Sequence, residues 1–396
     1  MVRHLPPTTS PIALSDLGEG LNNFKRARSG FQAALADYLG VPICGLASSG
    51  RTALYLLLKG LAEGAGPRRH EVLLPAYTCP ALVKVVLDVG LQPRLVDISA
   101  QTLALQPDQL EASLGEQTLA VICVHPFGLP QDIEEVMTLA TTAGALVIED
   151  AAQAMGARLG GLLVGTRGDF GLFSLGPGKP LSTGGGGIIC ARTPNAIVAR
   201  EVARTWQELS PPSALASGWA LLRLALLTLA FHPLGWWLAT RLSLHRAGEH
   251  QASWGYRCTG LTESQAGIGL RLLERLDRIN RQRRQKAEQL MAHLQVLDFV
   301  HIPPVPHSAE PIYLRLPVLV ADEAQREALF QQLWASGIGV GRMYGRPLSE
   351  IFPDIATQPY PGAAYVARHL LTLPTHHYLT GVDTARIVRI FQMVNQ

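Results

Sequence analysis

From about residue 45 to residue 191, short apolar, β-prone runs alternate with stretches patterned as helices. The runs are VLLP (72–75), RLVDI (94–98), LAVICVHP (119–126), ALVIED (145–150) and GIIC (187–190). Helix-like segments lie between several of them, at 52–61, 80–89 and 133–142. Nearly continuous apolar strands separated by helices predict an α/β fold, with a large, buried, mostly parallel sheet covered by helices on both faces. Ligands of such sheets gather beyond the carboxyl ends of the strands. Polar residues at those ends therefore carry the most functional weight.

Further along, 261–294 reads as one long helix. A smaller unit follows, with a strand in IYLRLPVLV (312–320), a helix at 323–336 and a last helix at 383–394. The expected organisation is an N-terminal arm (1–12), a large domain (13–270), and a linking helix with a smaller C-terminal α+β domain (271–396). With 47% hydrophobic and 16% charged residues in 396, a large core is available and global disorder is excluded. The net charge of +3 is too weak to argue for nucleic acid, and the basic run RQRRQK (281–286) reads as a solvated helix face. Five scattered cysteines without a CxxC give neither a disulfide framework nor a zinc site, so no metal is expected. The first residues lack the apolar core of a secretory signal, and the expected location is the cytoplasm.

Three stretches carry chemistry. Ser48-Ser49-Gly50-Arg51-Thr52 precedes a helical run, and such a helix start suits either a phosphate or a plain N-cap. Glu149-Asp150 ends the most hydrophobic strand. An acid there is a solvated turn residue, a helix cap, or a buried carboxylate holding a cation such as a protonated pyridine nitrogen. FSLGPGKPLSTGGGG (173–187) holds one lysine, Lys179, after a Gly-Pro-Gly turn and before a tetraglycine. A desolvated lysine has a lowered pKa and attacks aldehydes, whereas a surface turn lysine does nothing of the kind. Phosphate cup, acid and lysine in this order along an α/β domain favour the chemical reading.

These stretches, with EVLLPAYTCPAL, VHPFGLPQD, IEDAAQAMGA, GIGVGRMYGRPL and LLTLPTHHYLT, resemble the DegT/DnrJ/StrS family of sugar aminotransferases. The resemblance runs from about residue 13 to the C-terminus, with 209–253 unmatched. It implies the fold-type-I, aspartate-aminotransferase architecture, pyridoxal 5'-phosphate as cofactor, and a homodimer. Lys179 is then the covalent anchor of the cofactor and later its proton carrier, and Asp150 the partner of the pyridine nitrogen. Gln153 is expected near the ring oxygen, while Ser174 with Ser49, Gly50 and Arg51 is expected at the phosphate. Cys79 stands where the family has a stacking aromatic, which leaves Tyr77 as the candidate ring contact. The family's usual glutamate is Gly185 here. The residue offered to the neighbouring subunit aligns near Gly260, with Arg257 as the candidate substitute.

The resemblance implies an aminotransferase that passes an amino group from an amino-acid donor such as glutamate to a keto-sugar acceptor. The acceptor is expected to be nucleotide-linked, in polysaccharide or secondary-metabolite synthesis. A cofactor-binding regulator or scaffold without turnover, and another chemistry of the same cofactor, are the alternatives. Segment 219–242 is apolar apart from Arg223, Arg241 and a central His232-Pro233. It has the nominal length of a membrane span, yet Pro233 breaks it and a single span would split one active site between compartments. Two short helices are expected there. They either make a peripheral contact with the inner face of the membrane through Trp236 and Trp237, or pack on protein.

Overall fold

The structure, a computed structural model, describes residues 3–22, 27–192, 196–242 and 258–394. Its main sheet has seven strands. In spatial order they are Ile43–Ala47, Gly187–Ala191, Phe170–Ser174, Leu146–Asp150, Thr118–Val124, Glu71–Pro75 and Gln92–Val96. The last five run parallel, and Gly187–Ala191 is antiparallel to both its neighbours. Two reversals restore the direction, so Ile43–Ala47 points the same way as the parallel set. Six carboxyl ends therefore open onto one edge.

The side-chain alternation explains the unbroken apolar runs. Val72, Leu74, Ala120, Ile122 and Ile148 enter one core, together with Leu54, Leu57 and Leu61 of the Gly50–Ala65 helix. Leu73, Val121, Cys123 and Val147 enter a second core on the other face, with Val136 and Ala140 of the Glu134–Thr142 helix. Successive residues of a strand face opposite sides, so a sheet covered twice needs apolar residues at every position.

A second, antiparallel sheet has the order Val300–His301, Arg315–Val320, Leu370–Pro374. Two strands of the main sheet, Ile43–Ala47 and Phe170–Ser174, were not separately expected. Each carries a glycine (Gly45, Gly171), which weakens a strand signal. The stretch expected as one helix over 261–294 is two, Glu263–Leu273 and Leu276–Leu294. The break falls at Arg275, which pairs with Asp16 at 2.6 Å; the first helix packs into one core, and the second starts in that core at Leu276 and enters the other with Ala287, Leu290 and Leu294.

The apolar segment forms two helices, Ala214–Ala230 and Pro233–Arg241, bent by 84°. Among the described residues no single helix is long and apolar enough to cross a membrane, and this pair reaches that composition only jointly. Its inner side holds the body of the protein through buried Leu224 and Ser217, whose carbonyl accepts from Ser264 Oγ at 3.1 Å. Its outer side is a stripe of Leu215, Trp219, Leu222, Leu226 and Leu229, continued by Leu234, Leu238 and Leu242. Trp236 and Trp237 do not provide that face. Both are half-buried, Trp236 stacked on Phe231 and Trp237 under the Arg241 guanidinium.

Candidate active site

The shared edge gathers residues distant in sequence. Ala47 leads into Ser49 and Gly50, Pro75 into Tyr77 and Val124 into His125, while Asp150 and Ser174 are the last residues of their strands. Ser49 caps the Gly50–Ala65 helix, its Oγ accepting from the Thr52 amide at 3.1 Å. The expected plain N-cap is therefore real. Gly50 also lies against Ser174, since a Cβ added to it would stand 3.4 Å from Ser174 Oγ. Gly187 lets the next strand pass close by: a Cβ there would be 2.4 Å from the Ser49 carbonyl. A helix start beside a serine hydroxyl, with Arg51 in the same first turn, suits a phosphate.

Asp150 is buried, and its Oδ1 accepts from the Ala152 amide at 2.9 Å. No described residue donates to Oδ2. Burial raises its pKa above the ordinary aspartate value, opposed by the Ala152 amide, Lys179 and His125. Lys179 is half-buried in a turn whose backbone is tied down at 2.7 Å by Ser10 and at 3.2 Å by Thr8, the latter through Gly178. Its Nζ has no hydrogen bond among the described residues. Burial lowers its pKa, Asp150 opposes that, and Arg315 adds to it. A depressed lysine can act as a nucleophile and as a base.

Gln153 reaches from the same turn as Asp150 to the Tyr344 hydroxyl at 3.4 Å. Tyr77 donates its hydroxyl to the Met343 carbonyl and meets Tyr344 edge-on, with centroids 5.6 Å apart. Tyr344 holds a left-handed backbone (φ 48°). Such a conformation costs a tyrosine about 1–3 kcal/mol and persists where surrounding contacts fix it. Arg257 lies outside the described residues. At Gly260 the same chain's Arg28 is close, 3.0 Å from where a Cβ would be.

Below this layer sits Glu149, fully buried. It accepts from the amides of Gly165, Arg167 and Gly168 and from His125 Nε2, all at 2.6–2.9 Å. His125 Nδ1 accepts from the Gln131 amide, which leaves the Nε2 proton for Glu149. Burial would raise the Glu149 pKa, but these bonds overcome it and hold it below the usual value. Sequence reasoning gave no role to His125, Tyr344 or Arg315, and named Glu149 only with Asp150 as the acidic end of their strand. The arginine at the start of an otherwise apolar strand was the available signal for the last.

The site offers an anion-binding end at Gly50 and Ser174, and a buried carboxylate oxygen without a donor at Asp150. Lys179, within electrostatic reach of Asp150, has no hydrogen bond to its Nζ among the described residues. Pyridoxal phosphate fits this set. A sequence model of the DegT/DnrJ/EryC1/StrS aminotransferase family matches residues 20–208 and 239–392, and omits most of the bent helix pair. L-glutamine:2-deoxy-scyllo-inosose aminotransferase of Streptomyces kanamyceticus is 33% identical over 270 residues. That match takes in 67% of this chain but only 55% of the relative's length. The aminotransferase TlmJ of Streptoalloteichus hindustanus superposes with a TM-score of 0.79 at 25% identity, over 99% of this chain and 98% of its own. The sugar aminotransferase CalS13 of Micromonospora echinospora gives 0.77 at 25%, over 99% and 100%. Members of this family depend on pyridoxal phosphate. The chain belongs to the DegT/DnrJ/EryC1/StrS aminotransferase family.

Proposed function

We propose that the protein is a transaminase that moves an amino group from an amino acid, glutamate or glutamine, to a nucleotide-linked keto-sugar. The pairing that carries this reading is Asp150 Oδ2 with Lys179 Nζ, neither with a hydrogen-bond partner among the described residues and each within electrostatic reach of the other. Glutamine enters as a donor because the relative from Streptomyces kanamyceticus is named for it. Pyridoxal phosphate, when bound, supplies an aldehyde that captures amines and a protonated ring that accepts an electron pair. Asp150 would keep the ring nitrogen protonated, and its desolvation would strengthen that charge pair. Lys179 would anchor the cofactor, and its amine would carry a proton to and from the reacting substrate carbon. Ser174, Ser49, Gly50 and Arg51 would hold the phosphate, and Gln153 and Tyr77 would line the rest of the cofactor's seat.

A homodimer belongs to this reading through the family resemblance, with Arg257 as the residue contributed across the interface. So does a cytoplasmic enzyme seated on the membrane's inner face through the bent helix pair. Supporting the latter, 211–242 contains two arginines and no carboxylate, which suits anionic headgroups around an apolar stripe. The purified holoprotein, given ¹⁵N-labelled glutamate or glutamine, should transfer label to at least one member of a nucleotide-linked keto-sugar panel. Conversion of the cofactor by donors with no label reaching any keto-sugar would remove the assigned acceptor class.

A further inference from the structure

Arg315 opens the Arg315–Val320 strand, and its position is fixed from three sides. Before it, Ile312 donates its amide to the Gly128 carbonyl at 3.0 Å, and Thr375 Oγ1 donates to the Tyr313 carbonyl at 2.6 Å. Tyr313 between them has a left-handed backbone (φ 44°). Beyond it, the guanidinium lies on Gly341, where an added Cβ would stand 3.0 Å from Nη1. Gly341 exchanges both backbone hydrogen bonds with Thr372. Glycine thus leaves the room that the guanidinium occupies.

Other partly buried arginines of this protein have acceptors: Arg275 has Asp16, Arg283 has Asn280 and the Thr9 carbonyl, and Arg326 has the Arg368 carbonyl. Arg315 has neither an ion pair nor a hydrogen bond among the described residues. Burial lowers its pKa to about 10, and among the described residues Tyr344 opposes that. Arg315 also depresses Lys179, so its charge reaches the reacting amine. A fixed, desolvated guanidinium without an anion is costly to keep unless a ligand brings one.

We infer that Arg315 seats the α-carboxylate of the amino donor, pairing with it through two parallel N–H···O bonds beside Tyr344 and Lys179. A guanidinium matches a carboxylate in this bidentate way, and an anchored carboxylate presents the α-amine to the reacting centre in one orientation. An acceptor ring without a carboxylate would not make this pair, so the same guanidinium would discriminate the two half-reactions. This inference rests on the transaminase reading above, and its test separates the two.

Holoenzyme, Arg315→Ala and Arg315→Lys are compared by calorimetric binding of glutarate, an unreactive carboxylate. They are then compared by the rate at which L-glutamate and L-glutamine convert the cofactor. Each donor is set beside its decarboxylated counterpart, 4-aminobutyrate or 4-aminobutyramide. Arg315→Ala should keep the bound-cofactor spectrum, weaken glutarate about 100-fold, and lower donor kcat/KM by a similar factor, mainly through KM. It should leave the decarboxylated amines as poor as they are with the unaltered enzyme, while Arg315→Lys recovers part of the loss. Glutarate binding and donor KM within about threefold of the unaltered enzyme in Arg315→Ala would overturn the assignment. So would a loss confined to the keto-sugar half-reaction. Failure of every donor with the unaltered enzyme would instead sink the transaminase reading, and glutarate binding would still decide Arg315. If Arg315→Ala does not fold, Arg315→Gln carries the same comparison.

Discussion

Glu149 and Asp150 are adjacent carboxylates at one strand end, both buried, and their surroundings separate them. Glu149 receives three amides and a histidine proton and is held ionised. Its pKa is depressed, so its contribution to stability is present above the ordinary glutamate value and is lost as pH falls through the lowered one. Asp150 receives one amide and is pushed the other way. The first is a brace and the second is left for a cation. Asp150→Asn should therefore remove the charge proposed to keep the ring nitrogen protonated. We expect the barrier to rise by about 3–5 kcal/mol, each ~1.4 being tenfold in rate, with the fold and cofactor binding retained. Turnover in that variant within tenfold of the unaltered enzyme would assign the protonation to another group. From the sequence, Asp150 and Lys179 stood out because their neighbours are diagnostic in order and kind. Tyr344 and Arg315 did not, since each is brought to the site by the second sheet and by turns whose dihedrals no local pattern announces.

At the scale of elements, the parallel strands were legible because a sheet covered on both faces writes itself as unbroken apolar runs. Strands containing Gly45 and Gly171 were not, and neither was the helix break at Arg275, which depends on a partner 259 residues away. The bent pair Ala214–Ala230 and Pro233–Arg241 was legible through Pro233, but its orientation was not. Leu215 at 78% and Trp219 at 69% exposure face outward, whereas the paired tryptophans are spent within the hairpin. Changing Trp219, Leu226, Leu229 and Leu238 to serine therefore removes apolar surface without opening a core. The intact protein should sediment with anionic liposomes and the substituted one should remain in solution, with the same thermal midpoint. Absence of liposome binding by the intact protein would reject the membrane contact, and a change of mass by light scattering between the two would assign the stripe to a second copy.

At the scale of the whole molecule, the N-terminal residues connect the parts. Thr8 and Ser10 hold the Lys179 turn, Pro6 accepts from His376 at 2.8 Å, Leu5 donates to the Gly337 carbonyl, and His4 donates to the Pro233 carbonyl at the hairpin. One extended segment thus links the reactive lysine, the second sheet and the apolar hairpin, which is how a chain of separate local signals becomes one site. Among the described lysines, Lys179 is the one this assembly prepares for the cofactor. Borohydride reduction of the holoprotein followed by peptide mapping measures it directly. The phosphopyridoxyl group should be found on the peptide carrying Lys179 and nowhere else. Its recovery on Lys59 or Lys84, or no covalent label from a protein that retains the cofactor's absorbance, would overturn the assignment of Lys179.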